Sequence, residues 1–470
     1  MLKFVLEKQL EYFLSYLPQD QKQCFQQSFE EKMHKEWTTY FQALNKGEQG
    51  FLKNTQAWTC PHCFNKNHLD ENFRTQGEKC FKNGEVAFLT VAGGLGTRLN
   101  FDGPKGLFPV TPLKRKPLFQ VFAEKLIALQ WRYGSPCHWL IMTSDDTHDA
   151  TVAAFLQNNW YDLKYVHFFK QGTVPAFDSQ KRCLIQEDGS VRYFPDGHGG
   201  VFNALKRSNL LNALEDWGVK IISYFQVDNP LVILGDTLFL GLHLEKNSDF
   251  STKVVAKRTP EERVGVFVQE NNTLHLVEYS EMPDELAKKQ DSSGQLVFRY
   301  GNTAIHLLSV AFIKKATEIK LPYHAVAKQM VAWDPDAQEI RKQPIYKLES
   351  FIFDALPYAQ NPVLLEVARE DEFSPVKNAT GDDTPETCLR DQTRCWLRWL
   401  RKKCIFDEKK LAEQCVRANN RLIEVSPLFA EDVDNFSAKW DCMPRKYEEI
   451  EGLYLEEYYE DTHRTFGKGF

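Results

Sequence analysis

Residues 86 to 109, VAFLTVAGGLGTRLNFDGPKGLFP, constrain this chain more than any other stretch. Val86 to Val91 is a short apolar run rich in β-branched and aromatic residues, the pattern of a buried strand. It runs directly into Ala92-Gly93-Gly94, then Gly96-Thr97-Arg98, then Pro104-Lys105-Gly106. Positions without side chains straight after a buried strand let backbone N–H groups approach a ligand closely. An arginine fork and a lysine point charge on the same loop are natural partners of phosphate oxygens. The expectation is a triphosphate at the end of a strand, cradled by Ala92, Gly93, Gly94, Gly96 and Thr97 and neutralised by Arg98 and Lys105.

Two familiar glycine signatures fail on spacing. The dinucleotide fingerprint fits Gly94 and Gly96, but its third glycine falls on Leu99. A P-loop needs Gly-Lys-Ser/Thr, whereas the nearby lysine reads Pro104-Lys105-Gly106, in the wrong order and without a hydroxyl. A plain glycine-rich turn with solvated cations is the bland alternative. The coincidence of an apolar strand with two cations argues against it.

At 470 residues the chain is long for one core, so two or three domains are expected. A hydrophobic content of 43% and a charged content of 26% are ordinary for a globular protein. The net charge of −6 argues against nonspecific nucleic-acid binding, which calls for a basic surface. Eleven cysteines without a secretory leader point to a reducing compartment rather than a disulfide framework. In MLKFVLEKQLEYFLSYL, Lys3, Glu7, Lys8 and Glu11 interrupt any signal-like core, and Leu6, Leu10, Phe13 and Leu17 recur at helical spacing. No stretch offers the apolar length of a membrane span, so a cytoplasmic protein is expected.

Residues 1–84 read as a polar, helical N-terminal region that becomes loop-like from Asn54 to Asn83. Phe119, Phe122, Leu126 and Leu129 mark a helix opened by Pro117. Strand-like runs follow at Trp139–Met142, Tyr165–Phe169 and Ile221–Val227, with helical segments at Val152–Gln157 and Ala204–Glu215. Such alternation predicts a doubly wound, mostly parallel α/β sheet over residues 85–380, with ligands beyond the strands' carboxyl ends. Gly381-Asp382-Asp383-Thr384-Pro385 reads as a linker to a C-terminal domain over 381–470. There is no internal repeat and no low-complexity tract.

Asp228, in Gln226-Val227-Asp228-Asn229, ends an apolar run, where a carboxylate suits Mg²⁺, a hard cation that keeps several waters. An aspartate there can equally cap the next helix or turn. Asp236 is a weaker candidate. Cys60-Pro61-His62-Cys63 is half of a zinc site that His68 or Cys80 could complete; without a second C-x₂-C, unliganded thiols are the expectation.

The blocks at 89–110, FFKQGTVPA (168–176), PDGHGGVFNAL (195–205), FQVDNPLV (225–232), VGVFVQENNTLHLVEYSE (264–281), YGNTAIH (300–306) and EVAREDEFSPVKNA (366–379) come in the order of a known family. Together they resemble the eukaryotic-type UDP-N-acetylhexosamine pyrophosphorylases, relatives of the UDP-glucose and UDP-sugar pyrophosphorylases. The resemblance implies a Rossmann-like nucleotidyltransferase fold with a mixed sheet and a reaction of UTP with a sugar-1-phosphate, with Mg²⁺ held by Asp228. It implies that Gln171 meets the uracil edge and Gly197 the nucleotide. Gly265, Glu278 and Asn302 would hold the sugar, with His198 beside them, and Lys377 would meet the sugar phosphate. It also implies catalytic work for Arg98 on the leaving pyrophosphate and Lys105 near the α-phosphate.

One departure bears on the sugar. Acetylhexosamine-specific members usually carry Asn where this chain has His198, whereas UDP-glucose relatives read Gly-His-Gly. The 278–281, 301–304 and 370–379 blocks lean the other way, towards N-acetylglucosamine-1-phosphate, with glucose-1-phosphate second. A catalytically idle UDP-sugar-binding regulator is the alternative of another class, and retention of Arg98, Lys105, Asp228 and Lys377 together argues against it. A redox enzyme is disfavoured by Leu99. The oligomeric state stays open.

Overall fold

The computed structural model describes residues 55–188, 190–334, 336–403, 423–443 and 452–456, with residues 15, 22, 39–40, 42–44 and 413–414 in isolation. The amphipathic helix expected around Leu6, Leu10, Phe13 and Leu17 lies outside the described residues.

The principal sheet is built on eight strands: β1 (Phe64–Asn65), β2 (Val86–Val91), β3 (Trp139–Thr143), β4 (Val166–Lys170), β5 (Ile221–Gln226), β6 (Phe250–Ala256), β7 (Tyr300–Ser309) and β8 (Val363–Glu366). Their spatial order is β1-β8-β6-β7-β5-β2-β3-β4. Every neighbouring pair is parallel except those made by β7, which runs antiparallel to both β6 and β5. The expected α/β sheet is therefore a mixed one. A hairpin of Val266–Glu270 and Thr273–Val277 joins it, with Trp58–Thr59 on its edge.

Both faces of the sheet are covered, which is why its strands read as unbroken apolar runs. Val86 and Phe88 of β2 join Trp139 and Ile141 of β3 in one core, while Ala87 and Leu89 join Leu140 and Met142 in another. On the first face pack α1 (Asn72–Lys82), α2 (Leu118–Tyr133), α3 (His148–Gln157) and α6 (Thr237–Glu245). On the second lie α4 (Val201–Arg207) and α5 (Leu210–Asp216). The single helix expected over Ala204–Glu215 is thus two short ones, because Asn209 takes a left-handed backbone at φ 60°.

Two further expectations are corrected. The stretch from Asn54 to Asn83, read as loop-like, contains two short strands, Trp58–Thr59 and Phe64–Asn65, and helix α1. Only Phe73, Cys80 and Phe81 mark its apolar face, and Gly77 shares it, so its periodicity was faint. Gly77 is needed because a methyl there would strike the Thr237 carbonyl, and Gly241 of α6 meets the Phe73 carbonyl in the same way. The second correction concerns Gly381–Pro385. Thr384 caps α7 (Pro385–Arg401) through the Thr387 N–H at 3.2 Å, and the Asp383 carbonyl accepts from Lys377 N–H at 2.7 Å. These residues form a turn held against the sheet domain, not a spacer. Early in α7, Cys388 joins the first core; later residues, with Phe429, Phe436 and Trp440, form a separate C-terminal cluster. No helix among the described residues is long and apolar enough to cross a membrane.

Candidate active site

Val91 pairs with Gln226 across β2 and β5, so the loops that follow these parallel strands leave the sheet side by side. The glycine loop and Asp228 thereby become neighbours. The glycine loop is folded by its own backbone. Gly96 N–H donates to the Gly103 carbonyl at 2.8 Å and Lys105 N–H to the Gly94 carbonyl at 3.0 Å. Gly96 leaves no room for a side chain because Phe101 packs against it, whereas Gly94 faces open space. Lys105 Nζ reaches 3.9 Å from Asp228 Oδ2, and no other ion pair or hydrogen bond engages the Asp228 carboxylate among the described residues. Arg98 is exposed and its side chain makes no ion pair or hydrogen bond among the described residues.

β3 and β4 deliver their loops to the same edge. Ser144 Oγ donates to the Gly93 carbonyl at 2.9 Å, and a Cβ on Gly93 would sit 2.9 Å from Gln171 Oε1. Gln171 therefore lies against the glycine loop. Next to it, Asp196 N–H donates to the Gly172 carbonyl at 3.0 Å, and the Asp196 carbonyl accepts from Ser350 N–H at 2.8 Å. Burial pushes the Asp196 carboxyl up to about 6. Gly197 follows at φ 84°, its α-carbon packed against Ser350, a place only glycine suits.

His198 stacks on Phe351, with ring centroids 5.3 Å apart, and its Nδ1 accepts from Ile352 N–H at 3.2 Å. Nδ1 is therefore unprotonated, and burial together with nearby His324 lowers the ring's pKa to about 4, so His198 is neutral at pH 7. His324 behaves oppositely. Burial would lower its pKa, but Asp354 at 3.0 Å and Glu281 at 3.4 Å raise it to about 9.

Gly265, Glu278 and Asn302 come together at the start of β7. A Cβ on Gly265 would lie 3.1 Å from Glu278 Oε1, and the Gly265 carbonyl accepts from Asn302 N–H at 2.8 Å. Burial, then Glu281, raises the Glu278 carboxyl to about 7. Asn302 spends its side-chain oxygen on Ala304 N–H at 2.9 Å, where a bulge against β6 gives Ala304 a φ of 57°. Lys377 is half-buried, 3.4 Å from Asp383, and Ala379 N–H donates to the Arg98 carbonyl at 2.8 Å. The segment carrying Lys377 thus abuts the glycine loop.

Asp236 does not belong to this ring. It caps α6 through Phe239 N–H at 3.1 Å, and its other oxygen is shared by Lys66 and Lys253, which also hold Glu372. Its carboxylate is held well below the usual range by those two ammonium groups against the opposing effect of burial. No three His, Cys, Asp or Glu side chains gather as a metal site among the described residues. Burial pushes the Cys63 thiol up to about 12, and Cys80 lies in the first core, whereas Cys60 and Cys63 pack against the second. Sequence reasoning passed over Asp196, Asn229, Ser350 and His324. Asn229 adjoins Asp228, but only tertiary bonds reveal its use.

Residues 26–452 match the family described as UTP--glucose-1-phosphate uridylyltransferase. The chain belongs to this family. A UDP-N-acetylglucosamine pyrophosphorylase of Saccharomyces cerevisiae is 36% identical over 340 residues, which cover 69% of this chain and 71% of the yeast protein. UDP-N-acetylglucosamine diphosphorylase 2 of Arabidopsis thaliana is 34% identical over 351 residues, 70% of this chain and 69% of the plant protein. Among solved structures, the inhibitor-bound UDP-N-acetylglucosamine pyrophosphorylase of Trypanosoma brucei superposes with a TM-score of 0.70 at 28% identity, covering 83% of this chain and 82% of that one. A UDP-glucose pyrophosphorylase of Leishmania major shares the fold, with a TM-score of 0.61 at 18% identity over 80% of this chain and 79% of that one.

Proposed function

We propose that this chain transfers the uridylyl group of UTP to N-acetylglucosamine-1-phosphate, giving UDP-N-acetylglucosamine and pyrophosphate. The observation that carries this reading is the set of cations around one sheet edge. Arg98 and Lys105 lie on the glycine loop, and Lys377 is on a segment bonded to both that loop and the Asp228 loop. The similarity to N-acetylglucosamine enzymes at 34–36% identity supports the choice of sugar. His198 favours glucose-1-phosphate as the second substrate to test, because the glucose-specific relatives carry histidine there.

A phosphate monoester has its second pKa near about 6, so the attacking oxygen is ionised at neutral pH and no general base is required. That oxygen attacks the α-phosphorus in line, the bond to the bridging oxygen breaks, and pyrophosphate departs. The work left to the protein is orientation and neutralisation between two polyanions. In this reading Lys377 receives the sugar phosphate, Lys105 the α-phosphate region and Arg98 the leaving pyrophosphate. The bare amides of Ala92, Gly93, Gly94, Gly96 and Thr97 line the triphosphate. Gln171 and Gly197 hold the uridine, while His198, Gly265, Glu278 and Asn302 surround the sugar.

Asp228 suits Mg²⁺. The residue is 7% exposed and its carboxylate makes no hydrogen bond and no ion pair other than that to Lys105 at 3.9 Å among the described residues, so a hard oxygen donor stands unspent at the strand end. Mg²⁺ bound there would draw charge from the phosphates. A cytoplasmic location accords with the free cysteine thiols of the described residues.

The test is incubation of the purified chain with UTP, Mg²⁺ and a panel of sugar-1-phosphates, following pyrophosphate and the UDP-sugar formed. N-acetylglucosamine-1-phosphate is expected to be consumed fastest. No UDP-N-acetylglucosamine would overturn the reading, and faster turnover of glucose-1-phosphate would transfer it to the glucose enzymes.

A further inference from the structure

We infer that Asn229 is a positioning residue, a side-chain latch that holds the segment carrying Lys377 at the strand end carrying Asp228. The inference rests on the proposed role of Lys377.

Asn229 is 4% exposed and follows Asp228 directly, and its amide is spent on backbone groups. Nδ2 donates to the Glu372 carbonyl at 2.7 Å. Oδ1 accepts from Ser374 N–H at 3.1 Å and from Leu231 N–H at 3.3 Å. Asn229 therefore clasps the backbone at 372 and 374, and Val376 N–H adds a bond of 2.8 Å to the Asp228 carbonyl. Lys377 is the next residue. The backbone clasped in this way cannot slide along the strand end without breaking three bonds that reach 228–229.

The other end of the clasped segment has a rigid foot. The Glu372 carboxylate is paired with Lys66 at 2.6 Å and with the fully buried Lys253, and both ammonium groups share Asp236. Two cations and two carboxylates balance there, so the foot carries no net charge and has its hydrogen bonds met. Asn229 is the one side chain on the Asp228 loop that joins this foot to Lys377. Its donor and its acceptor are used at once and from two separate atoms, which an amide can do and an ionised carboxylate of that length cannot.

Positioning has a kinetic signature. A displacement of about 1 Å at a reacting group can cost on the order of 10²-fold in rate without disturbing the fold. In the full-length protein with UTP, Mg²⁺ and N-acetylglucosamine-1-phosphate, Asn229→Ala is expected to lower kcat by about 10- to 100-fold and leave KM for UTP nearly unchanged. Because the latch acts through Lys377, Asn229→Ala placed on top of Lys377→Ala should cost little more than Lys377→Ala alone. A residue needed merely for folding would give additive losses. If Asn229→Ala does not fold, Asn229→Asp serves the same cycle. It keeps the oxygen that accepts from Ser374 and Leu231 and turns the bond to the Glu372 carbonyl into a repulsion. Additive losses, or near-normal kcat in a folded Asn229 variant while Lys377→Ala is crippled, would overturn the latch alone. Full activity of Lys377→Ala would overturn the role of Lys377 and the latch with it.

Discussion

Lys105 Nζ stands 3.9 Å from Asp228 Oδ2, each on a loop that leaves one of two adjacent parallel strands. The pair is close enough to attract and too long to be a hydrogen bond. Phosphate oxygens can therefore take the ammonium without a tight pair having to break. If the glycine loop binds the triphosphate, Lys105→Ala and Arg98→Ala should each lower turnover by about 10²- to 10³-fold, the usual cost of one preorganised donor. Arg98 is exposed and Lys105 is part of neither apolar core cluster, so melting temperatures should stay close to that of the wild type. Pyrophosphate release by each variant is the measurement, and near-full rates would remove the assignment.

Gly93 tests the base-binding role proposed for Gln171. A methyl on Gly93 would lie 2.9 Å from Gln171 Oε1 and 3.2 Å from its Cδ, so the amide must swing aside. A mobile side chain yields at little cost to the fold. Losing the hydrogen bonds of a displaced amide is worth about 1–1.5 kcal/mol, so Gly93→Ala should raise KM for UTP by roughly tenfold. Steady-state kinetics with UTP varied will show it, and an unchanged KM would place the uracil elsewhere.

Lys253 is the stability test. Its side chain is fully buried between Asp236 and Glu372. Lys253→Met keeps the volume and leaves two buried carboxylates to share Lys66. Removing one partner from such a set typically costs about 3–5 kcal/mol. Urea unfolding should show a loss of this order, and a loss below about 1 kcal/mol would mean that the carboxylates find relief by protonation or water.

His324 should make stability fall as the solution turns alkaline. Burial opposes its charge, but Asp354 and Glu281 outweigh that and raise its pKa from 6.5 to about 9. A raised pKa means the imidazolium stabilises the folded state fully below about pH 6.5 and ceases to do so as the pH climbs through about 9. The stability gap between wild type and His324→Gln should thus shrink by up to about 3 kcal/mol between pH 6.5 and 10. Denaturant unfolding at several pH values measures this, and a gap independent of pH would show that His324 is not charged in the fold.

Local runs proved enough for elements whose pattern is dense. Val86–Val91 and Trp139–Met142 read as buried strands because both of their faces are apolar, and the structure fills both faces. The glycine loop was equally plain, since glycines and cations at the end of such a strand have few other uses. Helix α1 was not, because only a handful of its residues touch the core and Gly77 replaces an apolar side chain where α6 approaches. Asp228 and Asp236 differ little in one dimension, and local sequence makes Asp236 a weaker candidate without excluding it.

What separates those two aspartates is long-range partnership. Lys66 arrives from a remote part of the chain and Lys253 from strand β6 to neutralise Asp236, whereas Asp228 meets only Lys105, at a loose distance, among the described residues. The same holds for Asn229, whose bonds reach residues 372 and 374. Residue types and spacing are enough to specify a buried strand and the glycine loop that follows it, because these depend on neighbours in the chain. Which carboxylate is left unspent, and which amide clasps a distant backbone, depends on charges and carbonyls that meet only when the sheet closes.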